Sequence, residues 1–244
     1  MKILAVQNRM GIGDSIIFLP FIEAISKKFN TPVSLLVQEN SKCKEYLNQT
    51  NYIDEIIILK RNNKIKNLEH NGLFGSLRLA SELKKYNFNK IFIFNSSLRF
   101  KLIAKLSGIK KIYQFPMFQK KGQNMVEASS KLIFDSLGIQ VKNNPKIQID
   151  ESSVLEAAKK YNFSKNDLNI LLGIGGSGPT KRIPAKTYLK VMREMSKQTK
   201  CKFFLATGKN NEEQKILNEI KNSDIKNYCQ SLDNLSINEC LPII

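Results

Sequence analysis

Short apolar runs alternate with longer amphipathic stretches along the first half of this chain. The apolar runs predict strands at residues 3–7, 33–37, 55–59, 90–94 and 111–113. Apolar residues at helical spacing between these runs predict helices at residues 15–29, 41–48, 73–86 and 98–107. Strands that alternate with helices in this way are typical of an α/β protein whose mainly parallel sheet is covered on both faces.

The same pattern restarts after a polar linker. A predicted helix at residues 124–137 is followed by residues 141–150, which contain Asn-Asn-Pro and favour a domain boundary. Beyond it the pattern predicts, in order, a helix at 152–161, a strand at 168–174, a helix at 184–197, a strand at 202–206, a helix at 211–221, a short strand at 228–229 and a helical segment at 236–244. We therefore predict two domains, residues 1–145 and 146–244.

Each half contains a strand that opens through a glycine-rich turn into a helix. In the first half the turn is residues 11–14, Gly-Ile-Gly-Asp, and Ser15 is the predicted helix cap. In the second half the turn is residues 175–182, Gly-Gly-Ser-Gly-Pro-Thr-Lys-Arg. A helix N-terminus presents free N–H groups and a partial positive charge, so both turns are candidate sites for anionic ligands. The pair suggests two α/β halves that face each other across a cleft.

Neither turn matches a nucleotide-binding fingerprint. The dinucleotide pattern G-x-G-x-x-G would need glycine at position 16, where the chain has Ile16, so we expect no nicotinamide or flavin cofactor. A P-loop would need lysine after Gly178, where the chain has Pro179. The first turn leaves two interpretations of Asp14, a base that accepts a hydroxyl proton or a turn residue. The second turn is either a phosphate cradle or a plain connection.

Two acidic residues follow the predicted strand at 202–206. Glu212 and Glu213 come shortly after Thr207-Gly208 and open a predicted helix. A carboxylate just past a strand end can bind a ribose diol. Acidic residues are also favoured in the first turn of any helix by its macrodipole, so both interpretations stay open here.

The chain is strongly basic, with a net charge of +18 carried almost wholly by lysine. The lysines are spread along the sequence, which favours a general compositional bias. Attraction to an anionic membrane surface or substrate is the second interpretation, and nucleic-acid binding is the third and is not expected. The sequence contains no apolar run of 18 residues and no signal-peptide pattern, so we expect a cytoplasmic protein.

Cysteine and histidine offer little for catalysis. No cysteine has metal-site spacing, and we expect reduced, mostly buried thiols. The single histidine, His70, lies in a polar segment, residues 60–72, that we expect to be a mobile loop. It lacks an acidic neighbour on a predicted element, so a catalytic role is disfavoured.

Four segments of the chain, taken in order, resemble the motifs of a known protein family. Residues 3–25 run from a strand through Gly-Ile-Gly-Asp into an apolar helix that contains Pro20. Residues 175–184 end in Lys-Arg-Ile-Pro, residues 205–213 contain Leu-Ala-Thr-Gly and two glutamates, and residues 232–244 form the last segment. In this order they resemble glycosyltransferase family 9, the ADP-heptose:lipopolysaccharide heptosyltransferases, over nearly the whole chain.

The resemblance implies a GT-B fold, with two Rossmann-like domains and the active site between them. It also implies inverting, metal-independent transfer of a heptose-like sugar from an ADP-sugar to a lipopolysaccharide or envelope glycan acceptor, without a further cofactor. Residues 1–145 would form the acceptor side and residues 146–244 the donor side, and a glycolipid acceptor implies peripheral contact with an anionic inner membrane.

The resemblance also assigns site residues. Asp14 would be the general base, and the loop residues Ser177, Thr180 and Lys181 would hold the donor pyrophosphate. Glu212 or Glu213 would contact the donor ribose. The glycines of the two loops are Gly11, Gly13, Gly175, Gly176 and Gly178.

The chain departs from the family's pattern in three places. Ile183 stands where the family usually has tryptophan, and Gly173-Ile174-Gly175 stands in the region of its H-P-G. The chain also ends before the family's later D-[ST]-G-x-x-H segment. We therefore expect a partial second domain, from a fragment or from a truncated or degenerate member, and the alternative function is a non-catalytic nucleotide- or phosphate-binding remnant.

Overall fold

The computed structural model describes residues 1–9, 11–61, 68–116, 124–163, 166–175 and 179–244. The chain divides into two compact units, Met1–Gln148 and Ile149–Ile244. The sequence-based boundary after residue 145 lies close to this division. Each unit is built on a parallel sheet of its own.

The described part of the first unit holds a five-stranded sheet in the order β3-β2-β1-β4-β5, with every pairing parallel. The central strand β1 is buried along its whole length, because helices cover both faces of the sheet. The strands are β1 Ile3–Gln7, β2 Val33–Gln38, β3 Ile53–Leu59, β4 Lys90–Ile93 and β5 Lys111–Gln114.

The helices of the first unit form two layers. Since successive strand residues point to opposite faces, Ile91 and Ile93 pack under α3 and α4, whereas Phe92 and Phe94 contact aromatic side chains of α1. Helix α1 packs against α5, and α3 against α4. The helices are α1 Ile12–Phe29, α2 Cys43–Tyr46, α3 Gly72–Tyr86, α4 Leu98–Leu106 and α5 Met125–Leu137.

In the second unit the described strands form a parallel sheet in the order β6-β7-β8. Phe203 of the middle strand packs with α7 and α8 on one face, and Phe204 packs with α6 on the other. The strands are β6 Leu168–Ile174, β7 Cys201–Thr207 and β8 Cys229–Asp233. The helices are α6 Glu151–Lys160, α7 Ala185–Gln198, α8 Asn211–Lys221 and the short α9 Ile237–Cys240.

Two local predictions need correction, the cap Ser15 and the helix at residues 41–48. Helix α1 begins at Ile12 with Gly11 as its N-cap, so Ser15 is not the cap. Its hydroxyl donates instead to the Gly11 carbonyl four residues back, at 3.3 Å. Helix α1 continues through the buried Pro20, as the predicted helix at 15–29 does. The predicted helix at residues 41–48 is shorter in the structure, which has a 3-10 turn at Glu39–Ser41 followed by α2.

Within the described residues, no helix is both long and apolar enough to cross a membrane.

Candidate functional site

The first glycine-rich turn holds the Asp14 carboxylate against the start of α1. Asp14 lies in the first helical turn, where the macrodipole favours negative charge. A Cβ added to Gly11 would lie 2.9 Å from Asp14 Oδ2, whereas one added to Gly13 would meet nothing within 4 Å. A side chain at position 11 would therefore displace the Asp14 carboxylate, whereas one at position 13 would meet open space.

A polar pocket of about 200 Å³ opens at the carboxyl edge of the first sheet, the edge where α1 also begins. Asn8 follows β1 and Asn95 follows β4, and Asn95 Nδ2 donates to Asn8 Oδ1 at 3.2 Å. These amides and Arg9 offer hydrogen bonds to a hydroxyl-rich or anionic ligand. Sequence reasoning missed them, although both asparagines directly follow the predicted strands at 3–7 and 90–94. The lining residues are Asn8, Arg9, Phe94, Asn95, Ser96, Phe115, Asn124, Met125 and Ala128.

A larger pocket, about 620 Å³, opens at the carboxyl edge of the second sheet. Binding at this edge is the general rule for open parallel sheets, because the loops that follow the strands converge there. The lining residues are Gly173, Ile174, Gly175, Arg182, Ala206, Thr207, Gly208, Asn210, Glu213, Leu232 and Cys240.

Glu213 places a carboxylate on the wall of this pocket. The Gly208 N–H donates to Glu213 Oε2 at 3.1 Å. A Cβ added to Gly175 would lie 2.9 Å from the Glu213 carboxyl carbon, and one added to Gly208 would lie 3.1 Å from Oε2. Both glycines therefore leave room for this carboxylate.

Glu212 is placed differently from its neighbour. Its Oε1 lies 2.9 Å from Lys215 Nζ on the exposed surface of α8. This hydrogen bond and ion pair hold the pKa of the Glu212 carboxyl below its ordinary value. The structure thus separates the two glutamates that the sequence left equivalent, with Glu213 on the pocket wall and Glu212 in a surface pair.

The cation on the pocket wall is Arg182. Thr180 and Lys181 are exposed on a 3-10 turn, Pro179–Lys181, and are not among the lining residues. Arg182 Nε is buried and has no hydrogen-bond partner in the described part of the chain. A guanidinium with a free donor suits phosphate oxygens. Gly176, Ser177 and Gly178 lie outside the described residues.

A hydrogen-bond network fixes the loop after β7. Thr207 Oγ1 donates to Asp233 Oδ1 at 2.9 Å, and Gln214 Nε2 donates to the same oxygen at 2.5 Å. Gln214 also donates to the Gly208 carbonyl at 2.8 Å. The network joins the ends of β7 and β8 to α8, next to Glu213 in the chain. Sequence reasoning missed it because its members are distant in the chain.

His70 has an acidic neighbour after all. Its Nε2 lies 3.0 Å from Glu82 Oε2 on α3, which corrects the prediction. Nδ1 accepts from the Lys60 N–H at 3.0 Å, so Nε2 carries the proton and donates to Glu82. His70 is 2% exposed, so the end of the predicted mobile loop is packed, while residues 62–67 lie outside the described part.

The cluster of Glu69, His70 and Glu82 has the composition of a metal site. Glu69, however, already pairs with Lys60 Nζ at 2.9 Å. A Cβ added to Gly75 would lie 2.3 Å from the His70 carbonyl carbon, so the backbone packs closely here. These contacts give the cluster a structural role, because they hold the segment before α3 against that helix.

Comparison with known proteins agrees with this architecture. A sequence model described as glycosyltransferase family 9 (heptosyltransferase) matches residues 78–242, about two thirds of the chain. Comparison with curated protein sequences gave no match.

Solved structures match almost the whole chain at low identity, which supports the fold. E. coli ADP-heptose lps heptosyltransferase II matches with a TM-score of 0.73 and 15% identity, covering 100% of this chain and 76% of that one. The family 9 glycosyl transferase from Veillonella parvula gives 0.70 and 16%, covering 95% and 69%. E. coli heptosyltransferase WaaC with ADP gives 0.67 and 13%, covering 100% and 78%.

These structures are GT-B glycosyltransferases, so the predicted α/β fold of the GT-B type is confirmed. The family match extends from α3 to the last segment of the chain. The chain belongs to glycosyltransferase family 9, the heptosyltransferase family, and is a glycosyltransferase.

Proposed function

We propose that this glycosyltransferase moves a heptose-like sugar from an ADP-sugar to a lipopolysaccharide or envelope glycan acceptor. Family membership supports the transfer of a sugar. Two of the similar solved structures are named for ADP-heptose transfer or contain ADP, which supports the donor. With a glycolipid acceptor, the sugar transfer would take place in the cytoplasm, at the surface of an anionic inner membrane.

The pocket of the second unit carries the proposal. It combines a guanidinium that has a free buried donor, Arg182, with the carboxylate of Glu213 at the end of a parallel sheet. The cation suits a diphosphate, and a carboxylate oxygen suits a ribose diol. Lys181 and Thr180 on the adjacent turn add charge and a hydroxyl on the same side of the proposed diphosphate.

Asp14 is the proposed general base. Its carboxylate oxygen takes the proton of the acceptor hydroxyl as that oxygen attacks the anomeric carbon. The bond to the nucleotide diphosphate breaks on the opposite side, so the configuration inverts. Arg182 and Lys181 offset the charge that develops on the departing diphosphate, and the chain's own residues perform each of these steps without a metal ion.

The acceptor would bind at the polar pocket of the first unit. Asn8 and Asn95 would donate to or accept from sugar hydroxyls, and Arg9 would attract an anionic group. This placement shares the carboxyl edge of the sheet with Asp14.

Calorimetric titration with ADP, UDP and GDP tests the donor assignment. We expect ADP to bind and Arg182→Ala to weaken it by about tenfold or more, as expected for a charged hydrogen bond. Lys186→Ala, at an exposed position of α7, is the matched control and should bind as the wild type does. Preference for UDP or GDP would overturn the donor, and ADP binding with no transfer to any glycolipid would favour the non-catalytic alternative.

A further inference from the structure

The outer face of α3 and α4 exposes an unusual amount of apolar surface. Phe74 is 85% exposed, Leu73 69% and Leu98 62%. A soluble protein seldom leaves neighbouring large apolar side chains in water without a partner for them. We define the α3–α4 face by six such residues: Leu73, Phe74, Leu77, Leu98, Leu102 and Leu106.

The six residues lie on one outward surface. Helices α3 and α4 pack side by side and bury their opposite sides on the same face of the first sheet. On α4 the exposed leucines recur every four residues, which forms one stripe along the helix. Arg99 in the first turn of α4 donates to the carbonyl of His70, just before α3, so the N-terminal ends of the helices are adjacent.

The charge around this face has one sign. Arg78 on α3 and Lys101 and Lys105 on α4 are exposed between the apolar residues. The sequence between Glu82 and Glu127 contains ten lysine or arginine residues and no acidic residue. Apolar side chains interleaved with cations are the composition of surfaces that lie in the interface of an anionic bilayer.

We propose that the α3–α4 face binds an anionic lipid bilayer. Phe74 and the leucines enter the boundary between headgroups and acyl chains, while Arg78, Lys101 and Lys105 contact lipid phosphates. Both helices begin at the carboxyl edge of the sheet, as α1 does with Asp14, so the contact brings that edge to the bilayer. The role of this contact in sugar transfer rests on the proposed glycolipid acceptor. Binding to the bilayer itself can be measured without any sugar transfer.

A bilayer fits this face better than a second copy of the chain. A two-fold dimer through the face would set the same cations against each other, because an isologous contact pairs a patch with itself. Like charges held together at an interface cost free energy. Anionic headgroups instead complement every exposed charge on the face.

Co-sedimentation of the full chain with lipid vesicles tests the proposal. Vesicles of phosphatidylcholine with about a third phosphatidylglycerol should bind the protein at least about tenfold better than phosphatidylcholine alone, since each surface cation adds attraction to anionic lipid. Phe74→Ser with Leu102→Ser should weaken binding about tenfold or more, because two inserted apolar side chains are lost. Lys101→Glu with Lys105→Glu should weaken it about thirtyfold.

Matched controls lie on other helices. Phe134→Ser removes a half-exposed apolar side chain from α5, and Lys186→Glu with Lys190→Glu makes the same charge change on α7. Both should bind vesicles as the wild type does. Equal losses in controls and face variants would overturn the proposal and assign the binding to overall charge.

Two further measurements separate this proposal from its rivals. ADP affinity in solution should be unchanged in Phe74→Ser with Leu102→Ser, so failed vesicle binding and failed donor binding are distinct results. Sedimentation velocity tests self-association. A wild-type dimer that those substitutions dissociate, together with no vesicle binding, would overturn the proposal and make the face a homodimer interface.

Discussion

The two glycine-rich turns use glycine for the same purpose but supply opposite charges. At the first turn Gly11 leaves room for the carboxylate of Asp14, which belongs to the same turn. At the second, Gly175 leaves room for Glu213, which comes from another helix, and Arg182 adds a cation to the pocket wall. The first turn is complete in its local sequence, whereas the second acquires its chemistry only through folding.

The comparison implies different roles for the two carboxylates. Among the described residues, no side-chain cation forms an ion pair or hydrogen bond with Asp14. Its proposed role is proton transfer. Glu213 is held by the Gly208 N–H and faces a pocket, so the proposed role is donor binding. Substitutions at the two turns should therefore affect different kinetic quantities.

The largest expected effect is at Asp14. Asp14→Asn should lower the transfer rate by about 10²–10⁴-fold, the usual contribution of a general base. ADP affinity should stay within about twofold, because the residue belongs to the other unit. Steady-state kinetics and calorimetry measure the two quantities. Wild-type transfer by this variant would contradict the assignment of Asp14 as the base. Asp135→Asn, at an exposed position of α5, is the control.

Substitutions of Gly11 and Gly13 test which glycine of the first turn positions the Asp14 carboxylate. Gly11→Ala should lower the transfer rate by tens of fold, about the cost of displacing a catalytic group by a fraction of an ångström. Gly13→Ala lies inside α1 with open space around it and should instead raise the free energy of unfolding by about 0.5–1 kcal/mol. Kinetics and urea unfolding measure the pair. Equal activity in both variants would contradict the role of Gly11.

Glu213 and Glu212 are the matched pair at the second turn. Glu213→Gln should weaken ADP binding about tenfold by removing a charged hydrogen-bond acceptor from the pocket. Glu212→Gln should leave ADP affinity unchanged, since that side chain pairs with Lys215 on the surface. Titration calorimetry compares the two. A larger loss at Glu212 would reverse the assignment.

The smallest expected effect concerns two half-buried thiols. Burial raises the pKa of the Cys229 thiol to about 11 and raises that of Cys240 as well, so alkylation should be slow at neutral pH and accelerate with rising pH. Cys240 lines the second pocket and Cys229 does not. ADP should slow modification of Cys240 a few-fold and leave Cys229 unchanged in mass spectra recorded at about pH 9. Equal protection of both would indicate a global change instead.

The pH dependence of unfolding tests the burial of Cys229. The raised pKa of Cys229 means that the folded state keeps this thiol protonated when the unfolded chain has lost the proton. The stability contributed by the neutral thiol is therefore present below the ordinary thiol pKa and is lost as pH rises toward about 11. Cys229→Ser should remove this part of the pH dependence in urea unfolding.

Local pattern predicted most of the elements. The bounds of β1, β6 and α8 match the sequence prediction, because each has a clear apolar period and turn residues at its ends. Ser236 caps α9 through a capping box with Glu239, a local interaction of the kind that the spacing Ser-x-x-Glu indicates in sequence. Ser15 was wrong because a helix can begin at an extended glycine, which offers no side-chain signal.

The candidate site was less predictable. Their positions after strands indicated Asp14 and the two glutamates after β7 as candidates. The sequence did not distinguish Glu212 from Glu213. Arg182 was passed over in favour of Lys181, since adjacent cations look alike in sequence. The Asn8–Asn95 hydrogen bond joins residues 87 positions apart, so no local pattern indicates it.

The sequence by itself determined the alternation of strands and helices, the two turns and the family resemblance, because periodicity, glycine and motif order are properties of neighbouring residues. Only the tertiary structure decided which carboxylate and which cation line a pocket, that His70 is clamped between Lys60 and Glu82, and that the exposed leucines of α3 and α4 share one surface. These outcomes depend on strands that pair across long separations and on helices that pack side by side. Both bring together residues whose separation in the chain says nothing of their distance in space.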